Sequence, residues 1–343
     1  MMWLSWRQFR VPAAAVFAAL ALLAAVLGLT GPGLADDYAA GSANCAAGGG
    51  CERFAEDFFE DHQVWFLASL AIMLLLPALI GLFWGAPMIA RELEAGTHRL
   101  VWNQGVTRTR WLAVKLAMAG LAAVAAAGLG SLMTTWWAEP IDASAAGEFA
   151  RLDPLLFGVR GVVPVGYALF AFAFGVTAGM LVRRAMPAMA LTLAVFAAVQ
   201  IAMPLLVRPH LLPAVRETVP LAMQNLDLLG REPGPGGKLE VEMRAPQAGA
   251  WDLSNTIVDA SGRAVEDLGP APTSGPCSMS QGKRDVDART CLADLTGRGY
   301  RQRVVYHEAG RYWTFQWLET GIYTALALGL SGLCLWWLRR RVS

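Results

Sequence analysis

Residues 161–207 read GVVPVGYALFAFAFGVTAGMLVRRAMPAMALTLAVFAAVQIAMPLLV, with Arg183 and Arg184 as their only charged side chains. On either side of the arginine pair stands an apolar run close to the ~20 residues that cross a bilayer as a helix. Four more runs of this kind lie outside the stretch, at Val11–Thr30, Val64–Pro87, Trp111–Thr135 and Trp317–Leu338. The chain of 343 residues carries 28 Lys and Arg and 27 Asp and Glu, yet only Lys115 and Glu319 fall inside the six runs, each near an end. A charge at the centre of a membrane helix costs about 2.5–3.5 kcal/mol, so spans require this exclusion, whereas helices of a soluble core do not need six such lengths. Twelve of the 13 Trp stand at or beside the ends of runs, at the headgroup level that amphipathic indole rings prefer. The expected fold is an all-α polytopic membrane protein with six transmembrane helices.

Loop charge orients it. Gly31–Gln63 holds seven acids against Arg53; the next polar segment holds Arg91, Arg99, Arg108 and Arg110; Trp136–Arg160 is again mildly acidic. The fourth connection is Arg183-Arg184, and the chain closes on Arg339-Arg340-Arg341. Short basic loops stay cytoplasmic, so the alternation places both termini inside. The first run, ending at Gly31-Pro32-Gly33, is longer than the 7–15 apolar residues of a signal peptide and is followed by five more runs, so it reads as a span. The expected division is residues 1–207 with five helices, including a polar segment 87–115, then 208–316 outside, then 317–343 with the sixth helix and a basic tail. In 208–316, Lys238–Arg244 alternates in strand fashion and Val304-Val305-Tyr306 is β-prone, which predicts a small β or irregular extracytoplasmic domain. Cys45, Cys51, Cys277 and Cys291 all fall in the two outer loops, on the side where disulfides persist. Pairing inside each loop is the simplest of three connectivities. Cys334, within the last span, reads as a small apolar packer.

Several function classes lack their residues. Gly236-Gly237-Lys238 is followed by Leu239 and is no P-loop; His307-Glu308 leads into Ala-Gly-Arg rather than a zinc motif; no G-x-S-x-G occurs. Four scattered His argue against a metal site, and a net charge of +1 against nucleic acid. The middles of the spans carry no ionisable groups such as ion-coupled carriers need for relays. If the chain moves cargo, the energy comes from elsewhere and the path suits an amphipathic or hydrophobic molecule. Gly81-x-x-x-Gly85 and Gly175-x-x-x-Gly179 permit close helix approach, with packing inside the fold favoured over dimerisation. The competing reading is a membrane-anchored binding or sensor protein whose outer domain is the working part.

The polar segment Arg91–Lys115, RELEAGTHRLVWNQGVTRTRWLAVK, is the largest inner feature. Arg91–Thr97 reads as a short helix stopped near Gly96, its acids favoured early in the helix by the positive dipole end. Leu100, Val101 and Trp102 form an apolar patch for the interface, while Arg108, Arg110 and Lys115 anchor the third span at the headgroups. The positive-inside rule needs only Lys and Arg and does not account for Glu-x-Glu-x-Gly-Thr.

The run Arg91, Glu92, Glu94, Gly96, Thr97, followed by Val106-Thr107-Arg108 and then Lys115, resembles the cytoplasmic signature of type-2 ABC exporter permeases. Gly105 stands where that family usually has Pro. The end of the chain, Tyr306–Trp313 with Phe315–Glu319, looks like an actinobacterial branch of such permeases. The resemblance implies a permease subunit of the plasma membrane that has no ATPase site or cofactor of its own. Its coupling segment (Arg91, Glu92, Glu94, Gly96, Thr97, Arg108, Lys115) would sit in a groove of a separate ATP-binding subunit, and two permeases would pair, as a homodimer or with a related chain. It implies an exporter, with Glu92 and Glu94 meeting basic groups on the partner.

Overall fold

The computed structural model describes residues 2–48, 50–96, 107–144, 150–231, 237–265, 268–269, 272, 274–278 and 287–340. Six of its helices are long and apolar enough to cross a bilayer, in the segments Trp6–Gly48, Arg53–Glu94, Arg108–Trp137, Val163–Val182, Ala185–His210 and Ala309–Arg340. A small sheet region lies between the fifth and the sixth. The protein is therefore a multi-pass membrane protein. The chain forms two compact units, one from Met1–Phe149, Asp153–Arg208 and Trp313–Ser343, the other from Ala150–Leu152 and Pro209–Tyr312.

The helices are α1 (Met2–Gly48), α2 (Cys51–Leu79), α3 (Ala86–Glu94), α4 (Arg108–Trp137), α5 (Glu139–Ser144), α6 (Pro154–Phe157), α7 (Val163–Val182), α8 (Ala185–Ala202), α9 (Ala288–Gly297) and α10 (Tyr312–Arg340). The second span is composite, because a π-helical turn at Ile80–Gly85 joins α2 to α3 without a break. Helix α7 is the centre of the membrane unit. It is apolar all round, as a helix buried on every side must be, and packs on the π turn, α3, α4 and α8.

Four glycines make the tightest of these contacts. A Cβ on Gly81 or Gly85 would lie 2.8 Å from the carbonyl oxygen of Ala171 and 2.6 Å from that of Phe172. One on Gly175 or Gly179 would lie 2.5 Å from the oxygen of Gly81 and 2.4 Å from that of Ala86. The two G-x-x-x-G motifs thus face each other within one chain, backbone against backbone.

The first helix departs from expectation. Gly31-Pro32-Gly33 does not end it: α1 continues for 47 residues, with Pro12 and Pro32 inside. A proline here forfeits one backbone hydrogen bond and strains the turn before it, and tertiary packing offsets the loss. Trp137 Nε1 donates to Thr30 Oγ1 at 3.0 Å, and the Trp136 ring lies where a Cβ on Gly31 would be 2.7 Å away. Farther along, Tyr38 meets Phe54 at a tilt and Phe58 edge-on, and Gly41 admits the Phe54 ring against the α1 backbone. The acidic stretch between the first two runs is therefore a helical hairpin of α1 and α2. Its tip holds Gly50 at φ 90° and the Cys45–Cys51 disulfide, with Cα atoms 4.9 Å apart.

In the second unit, β1 (Val215–Pro220), β4 (Trp251–Val258) and β5 (Arg301–His307) form an antiparallel sheet of order β1-β5-β4. Strands β2 (Leu226–Arg231) and β3 (Leu239–Met243) form a separate antiparallel pair with an irregularity between Leu226 and Leu228. Helix α9 starts on an Asp287 cap, whose Oδ1 accepts from the Arg289 amide at 3.2 Å. Cys291 of α9 is bonded to Cys277 and packs with Leu221, Leu239, Met243, Ile257 and Leu295. Gln302 of β5 is fully buried and joins the two sheets, donating to the Arg244 carbonyl at 2.6 Å and accepting from Asn225 at 3.2 Å.

His307, at the end of β5, is buried with its Nε2 3.1 Å from the Pro209 carbonyl and its ring against Trp251. Burial holds its imidazole below the usual range, with Arg311 adding to the effect and the Pro209 carbonyl opposing it. A depressed folded value means that His307 contributes stability above the ordinary imidazole range and loses it as pH falls through that range. The protection of the amides at residues 301–307 of the full-length protein, measured as exchange relative to the intrinsic rate at each pH, is expected to fall between pH 7 and pH 5. In His307→Gln this acid response flattens; a response unchanged by the substitution rules out His307 as its source. Asp259 acts at lower pH. The Ser261 hydroxyl and the Arg263 amide hold its carboxyl down to about 2, so its contribution is lost only as pH falls from the ordinary carboxylate range toward that value.

Candidate functional site

The second span ends in a polar last turn. Helix α3 stops at Glu94, the Ala95 amide bonds to the Arg91 carbonyl at 3.0 Å, and Gly96 takes φ 68°. Only glycine adopts that left-handed conformation at little cost. Because α3 continues the second span, Glu92 and Glu94 sit at the negative end of its dipole, not in an early turn as the sequence suggests. Each acid finds a partner on another helix.

Glu92 pairs with Lys115 of α4. Lys115 Nζ also donates to Gln8 Oε1 of α1 at 3.2 Å and lies 4.9 Å from the centre of the Trp111 ring. Lys115 is 4% exposed, so it does not snorkel to the headgroups; its ammonium turns inward to an acid and an amide on neighbouring helices. Glu94 Oε2 accepts from the Ala185 amide, the first of α8, at 3.2 Å. The favourable dipole interaction that the sequence assigned to α3 is thus made with the N-terminus of α8. Arg183 makes the turn into α8 at φ 58°, its amide bonded to the Gly179 carbonyl at 3.0 Å.

Glu92 and Glu94 together tie the end of α3 to α1, α4 and α8. Hydrogen bonds to charged groups contribute about 1.5–3 kcal/mol each, so the last turn of α3 does not move alone. Arg108 opens α4 behind the Thr107 cap, whose Oγ1 accepts from the Arg110 amide at 3.4 Å. Thr97, Leu100, Val101, Trp102, Gly105 and Val106 lie outside the described residues.

A second polar cluster lies at the opposite ends of the spans, and sequence reasoning missed it. Arg208 and Glu319 are both fully buried, with Arg208 Nε 2.9 Å from Glu319 Oε2 and Nη2 3.2 Å from Oε1. Tyr167 of α7 donates its hydroxyl to Glu319, and the guanidinium lies 4.1 Å from the centre of the Phe157 ring. Three residues earlier on α10, Gln316 accepts from the Val162 and Val163 amides at 2.9 and 3.0 Å and donates to the Phe157 and Arg160 carbonyls at 3.2 and 3.1 Å. It therefore caps α7 from a neighbouring helix. One sequence signal pointed here: the fifth run ends directly before Arg208 and the sixth begins just before Glu319, so antiparallel crossing brings both to the same level.

Six apolar spans in one bundle fit a type-2 ABC permease, a membrane component of a transporter. A family model described as ABC-2 membrane transporter related matches residues 17–208, more than half of the chain, and the chain belongs to that family. No curated protein and no solved structure matches it.

Proposed function

We propose that this chain is the membrane-spanning half of an ATP-driven exporter of the plasma membrane, moving an amphipathic or hydrophobic cargo outward. The observation that carries the reading is the fastening of the α3 end: through Lys115, Gln8 and the Ala185 amide it is joined to three other helices. A push on residues 87–115 is then a push on four helices at once. In this reading both termini and that segment face the cytoplasm, and a separate ATP-binding subunit docks on Arg91, Gly96, Thr97 and Arg108. Glu92 and Glu94 transmit its closing motion through their bonds inside the permease, and two permeases work as a pair. Residues 208–316 face the outside in this reading.

The test is co-expression with candidate ATP-binding subunits, which carry G-x-x-x-x-G-K-[ST]. Arg108→Ala is expected to weaken co-purification. Glu94→Ala, which frees the start of α8, is expected to leave the complex assembled while lowering stimulation of ATP hydrolysis by about tenfold, the equivalent of one charge-assisted hydrogen bond. Association and stimulation unchanged in both variants remove the coupling role from this segment.

A further inference from the structure

A cavity of about 270 Å³ opens between α1, α3 and α4 beside the Glu92–Lys115 pair. Its walls include Phe9, Trp84 and Met118, and its polar end is formed by Arg91, Glu92 and Lys115. Trp84 is fixed there by an Nε1 hydrogen bond to the Pro12 carbonyl at 3.2 Å and an edge contact with Phe9. Among the described residues, two cationic side chains stand against one acid at the polar end. Glu92 and Gln8 take two of the three N–H donors of the buried Lys115 ammonium. Beyond these two oxygens the ammonium's neighbour among the described residues is the face of the Trp111 ring, 4.9 Å away. Arg91 is exposed at the mouth and makes no ion pair among them.

We infer that this cavity is a binding site for an anionic phospholipid, whose headgroup is held by Arg91 and Lys115 and whose first acyl carbons lie on Trp84 and Met118. Three features support the assignment. The site sits where a span passes from apolar to charged residues, at headgroup depth. Its charge complements a phosphate, and basic pockets between helices on the inner side take such headgroups. Its volume suits a headgroup with the start of a chain rather than a whole lipid. A phosphate on Lys115 competes with Glu92 for the ammonium, so the lipid loosens the bond that ties α3 to α4 and α1. The permease is then tuned by the anionic lipid of its own leaflet. The inference rests on the cytoplasmic placement of residues 87–115 proposed above, but its test needs no ATP-binding subunit, so either reading can fail without the other.

The test is native mass spectrometry of the full-length protein in neutral detergent, titrated with dioleoyl phosphatidylglycerol or dioleoyl phosphatidylcholine. One phosphatidylglycerol is expected to be retained about tenfold more tightly, the value of one charge-assisted contact. Arg91→Gln is expected to erase the preference, and Met118→Trp, which fills the cavity, to remove the bound lipid. Arg340→Gln, which removes a positive charge at another helix end, keeps both. Melting curves establish that each variant is folded, and Lys115 itself is left intact because its removal strands Glu92. Equal retention of the two lipids, or a preference that survives Arg91→Gln and Met118→Trp, overturns the assignment. Binding of dodecyl phosphate without any phosphatidylglycerol preference also overturns it, in favour of a soluble anionic amphiphile.

Discussion

Arg208→Met is expected to destabilise the purified permease by about 3–5 kcal/mol, the cost of stranding one partner of a buried ion pair. Glu319 is fully buried, so without the guanidinium its charge keeps, among the described residues, only the Tyr167 hydroxyl as a hydrogen-bond donor, in a region where water does not compensate. Glu319→Leu strands Arg208 in the same way and should cost a similar amount. The double variant Arg208→Met/Glu319→Leu removes both charges and fills the space with apolar atoms. It is expected to lose much less than either single change, because a buried pair is often worth little against well-packed hydrophobic residues. The rescue is incomplete, since the Tyr167 hydroxyl loses its acceptor. Denaturant titration in detergent micelles reads all three. Losses that simply add would mean that the two residues do not act as a pair.

The second large effect is at the glycine crossing. Gly175→Val places a Cβ 2.5 Å from the Gly81 oxygen and 2.8 Å from the Ala86 amide nitrogen. Both obstacles are backbone, so no side chain can turn aside and the helices must separate. Overpacking typically costs 1–3 kcal/mol, and a rigid crossing belongs at the upper end, about 3 kcal/mol. Gly28→Ala is the control, because nothing lies within 4 Å of a Cβ there. Thermal stability by size-exclusion is expected to collapse for Gly175→Val and hold for Gly28→Ala. Equal curves would show that the crossing tolerates a side chain.

Much of this architecture is legible in the sequence because a bilayer enforces simple rules. Charge exclusion and run length mark the six spans, and the spacing of Gly81, Gly85, Gly175 and Gly179 marks a close crossing. The strands at 238–244 and 300–307 are visible as alternation and β-prone residues. Three features are not legible, each for its own reason. The helix through Pro32 is decided by contacts with Trp137 and by the Tyr38–Phe54–Phe58 cluster, and local propensity yields to such packing. The partners of Glu92 and Glu94 lie 23 and 91 residues away, so a local dipole argument picks the wrong helix. Arg208 and Glu319 are separated by 111 residues. Each alone resembles an ordinary charge at the edge of a span.

The first helix has a mechanical consequence. At 1.5 Å per residue, its 47 residues make a rod about 70 Å long, more than twice the hydrocarbon thickness of about 30 Å. Gln8 binds one end to Lys115, and the disulfide at Cys45 ties the other to the second span. Such a rod is a lever whose short arm lies where α3 is fastened. A tilt of about 10° there sweeps the far tip through roughly 12 Å, from the same rise per residue. Pro12 and Pro32 lie inside it, and prolines are the usual points at which a helix kinks, so any loss or redirection of that stroke is expected there.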